Sequence, residues 1–509
     1  MINNTITNSL VSVFLEKVNT QPNKVLLYFE GKEYSYKDIY ESVVYFAGGL
    51  KAIGLAKGDR VALYLENSPS FIASYLSVLW LGGIVVLVNT RYLGLELNHI
   101  LSDSGAKYLI SDEERSQKAE DVILKIDSLK EMLVLNHDLT EDTELFAEIE
   151  NSKAVIAPVK LTMDDLAVIG YTSGTTGKSK GAMLSHGNFL SNSIALSKAW
   201  AWTKNDLLLL VLPLFHMHGL GVGFHGTLVQ GSSILLKRKF VAEEVYNELC
   251  NSKVSMFFGV PTMHKRLLEL AKKSDKKPKN IRLMVSGSAP LSAEMHAAIE
   301  KEFGITILER YGMTETIMNT GNPYLGKRKA GTVGIPFEGV RLRIADENNQ
   351  EMPVGESAEI QLRGPNICSG YWQRPKESAE VWTSDKWFKT GDLGFIDEDG
   401  YLTINGRAKE LIISGGFNVY PREVEEIIAE LDEVDEVAVI GLPDDDLGEK
   451  ITAVIVGKVS EREVVDYCAT KLADFKKPRQ VIFVEQLPRN AMSKVQKHDL
   501  VKQFSQKQP

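Results

Sequence analysis

The sequence predicts an α/β protein: a large amino-terminal domain of two doubly wound sheets plus a small β-barrel-like subdomain, then a small carboxy-terminal α/β domain. Three observations predict it. Short apolar runs alternate with helical spacing up to about residue 325, the pattern of parallel strands covered by helices. From 331 to 404 the segments shorten and alternate in polarity between Gly, Pro and Asp-Gly turns, as in a small antiparallel subdomain. After Pro421 a helical stripe of Val424, Ile427, Ile428 and Leu431 precedes two strand-like runs, 437–440 and 451–456. The expected boundaries are 1–165 and 166–325 for the two α/β subdomains, 326–406 for the barrel-like part and 407–509 for the last domain.

With 509 residues, 44% hydrophobic and 25% charged, the chain can bury several cores. A formal net charge of −9 argues against nucleic acid as a partner, so any anionic ligand must be met by local cations. Cys250, Cys368 and Cys468 are far apart and odd in number, which gives no disulfide or metal spacing and suits a reducing compartment. The first residues hold no basic residue before Lys17, and the longest apolar stretch, 76–88, contains a Gly-Gly pair and is too short to span a bilayer. The expectation is a cytoplasmic protein with no integral membrane association.

Along the chain, 36–50 has helical spacing, 60–64 reads as a strand, 70–80 as a buried helix and 84–88 as another strand. Asn89-Thr-Arg91 is either a functional loop or a plain connection, and the acidic stretch 138–148 reads as solvated surface. The apolar run 166–169 is a buried strand that leads into Tyr171-Thr-Ser-Gly-Thr-Thr-Gly-Lys-Ser-Lys-Gly181. Glycines let a backbone curl its N–H groups around an anion, hydroxyls add donors and lysines add charge, so this loop suits a polyphosphate. It is not a Walker A loop, because only Thr175 and Thr176 separate Gly174 from Gly177.

At this loop the chain resembles the adenylate-forming superfamily of acyl-CoA synthetases, luciferases and peptide-synthetase adenylation domains. The family's loop reads Tyr/Phe-Thr-Ser-Gly-Ser/Thr-Thr-Gly-x-Pro-Lys-Gly, and this chain departs only at Ser179. The resemblance covers almost the whole chain. It implies nucleotide contacts from Thr172, Ser173, Gly174, Thr175, Thr176, Gly177, Lys178 and Lys180.

Further on, 207–212 is a strand followed by Phe215-His-Met-His-Gly219. Gly221-x-Gly223-x-x-Gly226 nominally matches a dinucleotide fingerprint but does not open directly from the strand. The resemblance places His216 at the acyl pocket. Strands at 256–260 and 281–285 follow, the latter ending in Ser286-Gly-Ser-Ala-Pro290, where the resemblance makes Ser288, Ala289 and Pro290 a wall of the adenine site. A strand at 305–308 leads to Glu309-Arg-Tyr-Gly-Met-Thr-Glu-Thr316. There Tyr311 offers a ring for a base and Thr314 a hydroxyl for a phosphate, while Glu315 offers an oxygen ligand for Mg²⁺. Glu309 and Gly312 belong to the same nucleotide motif.

In Lys389-Thr-Gly-Asp392, the resemblance assigns Asp392 to the ribose hydroxyls, a two-oxygen match to two donors. It assigns Arg407 to ribose and phosphate, Lys409 to a hinge, and Gly415 and Gly416 to the pantetheine path of coenzyme A. It makes Lys494 the adenylation lysine, although Ser493 stands where the family has glycine. The last domain is then a mobile one.

The implied enzyme is an AMP-forming acid–thiol ligase using ATP, Mg²⁺ and coenzyme A. A carboxylate attacks the α-phosphorus to give an acyl-adenylate and pyrophosphate, and the thiol of coenzyme A then displaces AMP. Lys494, Glu315, Thr172 and His216 carry the catalytic assignments. For the acid, Glu309-Arg310-Tyr311, the segment 318–324 and Lys265-Arg266 are most similar to malonyl-CoA synthetases, in which an arginine grips a second carboxylate. His216, Arg266, Arg310 and Met313 are the expected substrate residues for malonate or methylmalonate. Medium- or long-chain fatty acids are the alternative, with Phe215, Met217, Leu220 and Phe224 as a tunnel. A luciferase-like oxygenase shares the motifs and ranks lower. Monomer and homodimer are both compatible.

Overall fold

The computed structural model describes residues 8–139, 157–172, 179–289, 291–415, 417–444, 446–472, 474–490 and 494–505. It divides into two compact units, residues 1–341 with 363–388, and 342–362 with 389–509.

The first unit holds two large sheets. One has six strands in the order Glu131–Leu135, Tyr108–Asp112, Arg60–Tyr64, Ile84–Leu87, Leu166–Thr172 and Lys180–Ser185. All neighbours are parallel except the last pair, a hairpin. The other has nine, in the order Ile335–Pro336, Thr320–Gly321, Leu308–Tyr311, Leu283–Ser286, Met256–Gly259, Leu207–Leu210, Ser233–Leu236, Val25–Phe29 and Lys32–Ser35. Its centre is parallel and its two ends are antiparallel. The two sheets therefore do not divide at 165/166. Val25–Phe29 pairs with Ser233–Leu236 in the second sheet, whereas Leu166–Thr172 belongs to the first. Local polarity shows that such segments are strands but carries no information on partners some 200 residues away.

Helix Pro69–Trp80 shows how the sequence builds the interior. Ser68 caps it by accepting from the Phe71 N–H, Pro69 occupies the first turn, and all twelve residues are buried. Asn67, just before the cap, donates to the Leu212 and Lys237 carbonyls and accepts from the Leu214 N–H at 2.8 Å. One side chain thus stitches the end of a strand of the first sheet to the end of a strand of the second. Open α/β sheets bind ligands at such carboxyl ends.

Two strands lie further along than their apolar runs suggest: Leu283–Ser286 rather than 281–285, and Leu308–Tyr311 rather than 305–308. In the second case Gly304 ends the preceding helix in the left-handed region, and Thr306 hydrogen-bonds Glu300 in the connection. The strand proper is Leu-Glu-Arg-Tyr, wholly buried, and its two charged residues mask it from a search for apolar runs.

The second unit has a four-stranded sheet in the order Arg341–Ala345, Ala358–Arg363, Phe388–Ile396 and Leu402–Arg407. Its other sheet is built on the long hairpin Val434–Asp444 and Gly448–Gly457. Period-two alternation sends Val439 to a core shared with Val424 and Ile428 of helix Pro421–Ile428. The same alternation sends Ala438, Ile440 and Leu442 to a second core with Leu500 and Phe504 of helix Lys497–Ser505. Among the described residues no helix is long and apolar enough to cross a membrane.

Candidate active site

Thr172 and Lys180 are the last paired residues of the hairpin Leu166–Thr172 and Lys180–Ser185, with the Thr172 hydroxyl donating to the Lys180 carbonyl at 3.4 Å. Ser173, Gly174, Thr175, Thr176, Gly177 and Lys178 lie outside the described residues, as do Pro290 and Gly416. The Lys180 ammonium stands over the Tyr371 ring, 5.2 Å from its centroid. Gly170, two residues before the loop, has no room for a side chain. A Cβ there would come within 2.8 Å of Thr314 Cγ2 and 3.2 Å of Met217 Cε. The hairpin Leu166–Thr172 and Lys180–Ser185, the segment 215–219 and the turn 312–316 therefore meet at this glycine.

Glu309, Arg310 and Tyr311 are presented by the buried strand Leu308–Tyr311. The chain then turns tightly at Gly312, where a Cβ would lie 2.0 Å from the Ile317 carbonyl oxygen. The turn also forces Ile317, a β-branched residue, to φ +57°, a conformation costing on the order of 1–3 kcal/mol. Glu315 is buried inside it. Its Oε1 accepts from the Tyr371 hydroxyl at 3.0 Å, and its carbonyl accepts from the Cys368 N–H at 2.7 Å. Burial, and after it the Glu315 charge, raises the Cys368 thiol far above its ordinary range, so that thiol is inert. Thr314 and Met313 are half-buried.

Arg310 is 4% exposed, and its Nε and Nη2 have no hydrogen-bond partner among the described residues. Burial pushes its pKa down to about 9, which still leaves it charged at neutral pH. The guanidinium packs against Gly287, where a Cβ would sit 2.4 Å from both Cζ and Nε. The neighbouring Ser288 takes φ +69° and is half-buried, and the exposed Ala289 follows it. His216 is half-buried, and its Nδ1 accepts from the His218 N–H at 3.3 Å. His218 is wholly buried, stacked 6.3 Å from Phe258, and burial followed by the nearby Arg310 charge holds it well below its ordinary pKa.

Arg266 is not brought in. Helix Pro261–Lys273 turns His264, Leu267, Leu268 and Ala271 inward, and the same periodicity puts Arg266 on the exposed face. The glycines of 219–226 are packing glycines. A Cβ at Gly219 would lie 2.2 Å from the Pro213 carbonyl oxygen, and one at Gly226 2.3 Å from the Trp202 ring.

In the second unit, Asp392 is buried and paired with Arg407, Nε to Oδ1 2.9 Å, across the strands Phe388–Ile396 and Leu402–Arg407. Lys409 is exposed in the single turn Ala408–Glu410. Gly415, at φ +58°, precedes the strand Phe417–Val419. Lys494 is exposed. Its N–H donates to Asn490 Oδ1 at 3.0 Å, and its carbonyl accepts from the Asn490 N–H at 2.9 Å.

Among the described residues no group of three or more His, Cys, Asp or Glu could cage a metal. The buried Glu315 carboxylate suits Mg²⁺ instead, which takes one or two carboxylates and completes its shell with phosphate and water.

This architecture places the molecule with the adenylate-forming α/β enzymes. The ATP-bound MatB from Rhodopseudomonas palustris superimposes with a TM-score of 0.90 at 38% identity, over 97% of this chain and 99% of that one. The chain belongs to the AMP-binding enzyme family, whose pattern matches residues 14–372, with the AMP-binding enzyme C-terminal domain matching 423–494. It is 32% identical to a long-chain-fatty-acid–CoA ligase of Bacillus subtilis, covering 97% of this chain and 94% of the relative. It is also 32% identical to a malonate–CoA ligase of Arabidopsis thaliana, covering 97% and 89%.

Sequence reasoning missed Tyr371, Gly287 and His218. The glycine in Ser-Gly-Ser and the arginine in Glu-Arg-Tyr were both visible, but not the contact between them. Tyr371 is 56 residues from the glutamate it touches, with no motif to join them.

Proposed function

We propose that the protein is an ATP-dependent carboxylate–CoA ligase that forms an acyl-adenylate and then an acyl-CoA thioester, with malonate or methylmalonate as the favoured acid. One observation carries the choice of acid: Arg310 is a buried, charged arginine with two nitrogens that have no partner among the described residues. A buried cation of this kind is costly unless an anion completes it, and a planar fork matches a carboxylate bidentately. The distal carboxylate of a short diacid is such an anion. Leu220 and Phe224, the alternative lining of a fatty-acid tunnel, are fully buried, and Phe224 packs edge-on against Tyr75 at 6.2 Å.

In this reading the hairpin loop after Thr172, together with Lys180, holds the polyphosphate. Tyr311 faces the base along with the turn at Ser288 and Ala289. Asp392 exchanges its Arg407 partner for the ribose hydroxyls. Glu315 would hold Mg²⁺, which neutralises phosphate charge when bound. Lys494 stabilises the charge that builds as the carboxylate oxygen reaches the α-phosphorus. The carboxy-terminal domain, residues 407–509, then turns about Lys409 so that Gly415 and Gly416 line the path of the coenzyme A thiol, which expels AMP. All three cysteines are free thiols, in keeping with a cytoplasmic protein.

A panel of acids with ATP, Mg²⁺ and coenzyme A, followed by AMP release, tests this. Malonate and methylmalonate should give the highest kcat/KM. Higher values for octanoate or palmitate would overturn the choice of acid, and absence of AMP with every acid would overturn the reaction.

A further inference from the structure

We propose that Tyr371 is a positioning residue for the Glu315 carboxylate: its hydroxyl bonds one oxygen and so fixes the carboxylate that would hold the divalent metal carried by the nucleotide. The inference rests on the reading of Glu315 as the Mg²⁺ ligand and adds the residue that makes it one.

The segment 365–372 holds Glu315 from both ends. The Tyr371 hydroxyl bonds Oε1 at 3.0 Å, and the Cys368 N–H bonds the Glu315 carbonyl at 2.7 Å. Asn366 Nδ2 donates to the Thr316 carbonyl at 2.6 Å. Tyr371 is 8% exposed and Glu315 6%, so water does not compete for the bond between them. The opposite edge of the same segment follows the phosphate-loop hairpin as a short extra strand. Met183 N–H donates to Gly370, Ser369 N–H to Met183, and Trp372 N–H to Gly181 at 2.8 Å. Ala182 and Tyr371 form an antiparallel bridge.

The tyrosine itself is fixed. Its N–H donates to Ser378 Oγ at 2.8 Å, and Gly370 at φ +138° leaves room for that serine. Its ring is the seat of the Lys180 ammonium and its hydroxyl the seat of the carboxylate. One side chain therefore sets the spacing between a phosphate cation and a metal ligand. A carboxylate has about four lone-pair sites, and a donor held on one oxygen orients the rest without neutralising the charge.

Tyr371→Phe keeps the ring under Lys180 and removes only the donor. The test is Mg²⁺ titrated calorimetrically into enzyme saturated with α,β-methylene-ATP, for wild type, Tyr371→Phe, Glu315→Gln and the double variant. Tyr371→Phe should weaken Mg²⁺ binding about tenfold, the scale of one hydrogen bond to a charged group, and leave metal-free analogue binding within about twofold. In the Glu315→Gln background it should add little, because the two act as one unit. Unchanged Mg²⁺ affinity in Tyr371→Phe, or full additivity in the double variant, overturns the proposal. So does a parallel fall in Mg²⁺ affinity, analogue affinity and unfolding midpoint, which marks a purely structural role. If Glu315→Gln itself binds Mg²⁺ like wild type, the metal reading of Glu315 fails and this inference with it; a silent Tyr371→Phe beside a defective Glu315→Gln sinks only the inference.

Discussion

At the scale of single residues, a buried charge without a partner destabilises a fold, and its replacement separates function from stability. Arg310→Leu should lower kcat/KM for malonate by at least about a hundredfold, the loss of two charge-assisted hydrogen bonds. The unfolding midpoint should stay level or rise, because a desolvated cation has been removed. A clear fall in midpoint with malonate use intact would mean that Arg310 is structural. Buried histidines make a second expectation. Burial holds His225 at about 3 and His186 and His264 at about 4, all below their ordinary 6.5. The unfolded chain therefore binds these protons first as pH falls. Their contribution to stability is complete above about 6.5 and is lost below it, about 2 kcal/mol for each by pH 5. His225→Gln, which can still bond the Tyr75 hydroxyl, should reduce the slope of stability against pH between 6.5 and 5; an unchanged slope would contradict a neutral, buried His225. Arg310 and Glu315 were legible in the sequence because each sits inside a short motif. Tyr371 and Gly287 were not, since what matters about them is a contact across the fold.

Among elements, the segment 218–226 shows how one pattern can mean two things. Its glycines have the spacing of a dinucleotide loop, yet they are buried and serve close packing. Gly219→Ala should cost on the order of 3 kcal/mol, because its Cβ would meet backbone, the Pro213 oxygen at 2.2 Å. Gly223→Ala should cost far less, since its nearest neighbour at 2.8 Å is the movable end of Leu210. Comparable midpoints for the two variants by thermal unfolding would refute the packing account. Glycine composition was legible at these positions, but its role was not, because spacing does not reveal which atoms stand opposite. The same limit explains the strand Leu308–Tyr311. Its charged residues hide it locally, and only its parallel pairing beside Leu283–Ser286 makes it a strand.

Across the whole molecule, alternation of apolar runs and helical stripes was enough to forecast two α/β sheets and a small terminal α/β unit. It could not say that Leu27 pairs with Ile234, because that choice is made by burial of complementary faces far apart in the chain. The last expectation concerns that terminal unit. Lys494 lies at a hydrogen-bonded turn with Asn490 and is exposed there, so removing its ammonium leaves the turn's backbone bonds in place. Lys494→Ala should therefore fold like wild type. A cation that meets charge only as the acyl–phosphate bond forms contributes to that step alone, so pyrophosphate release should fall by about a hundredfold or more. Thioester formation from supplied malonyl-adenylate and coenzyme A needs no charge at the entering carboxylate, and its rate should stay within about threefold. Measuring both half-reactions on one preparation decides the matter: equal loss in the two would mean that Lys494 serves a single arrangement common to both steps, and the division of labour between two faces of the terminal domain would have to be abandoned.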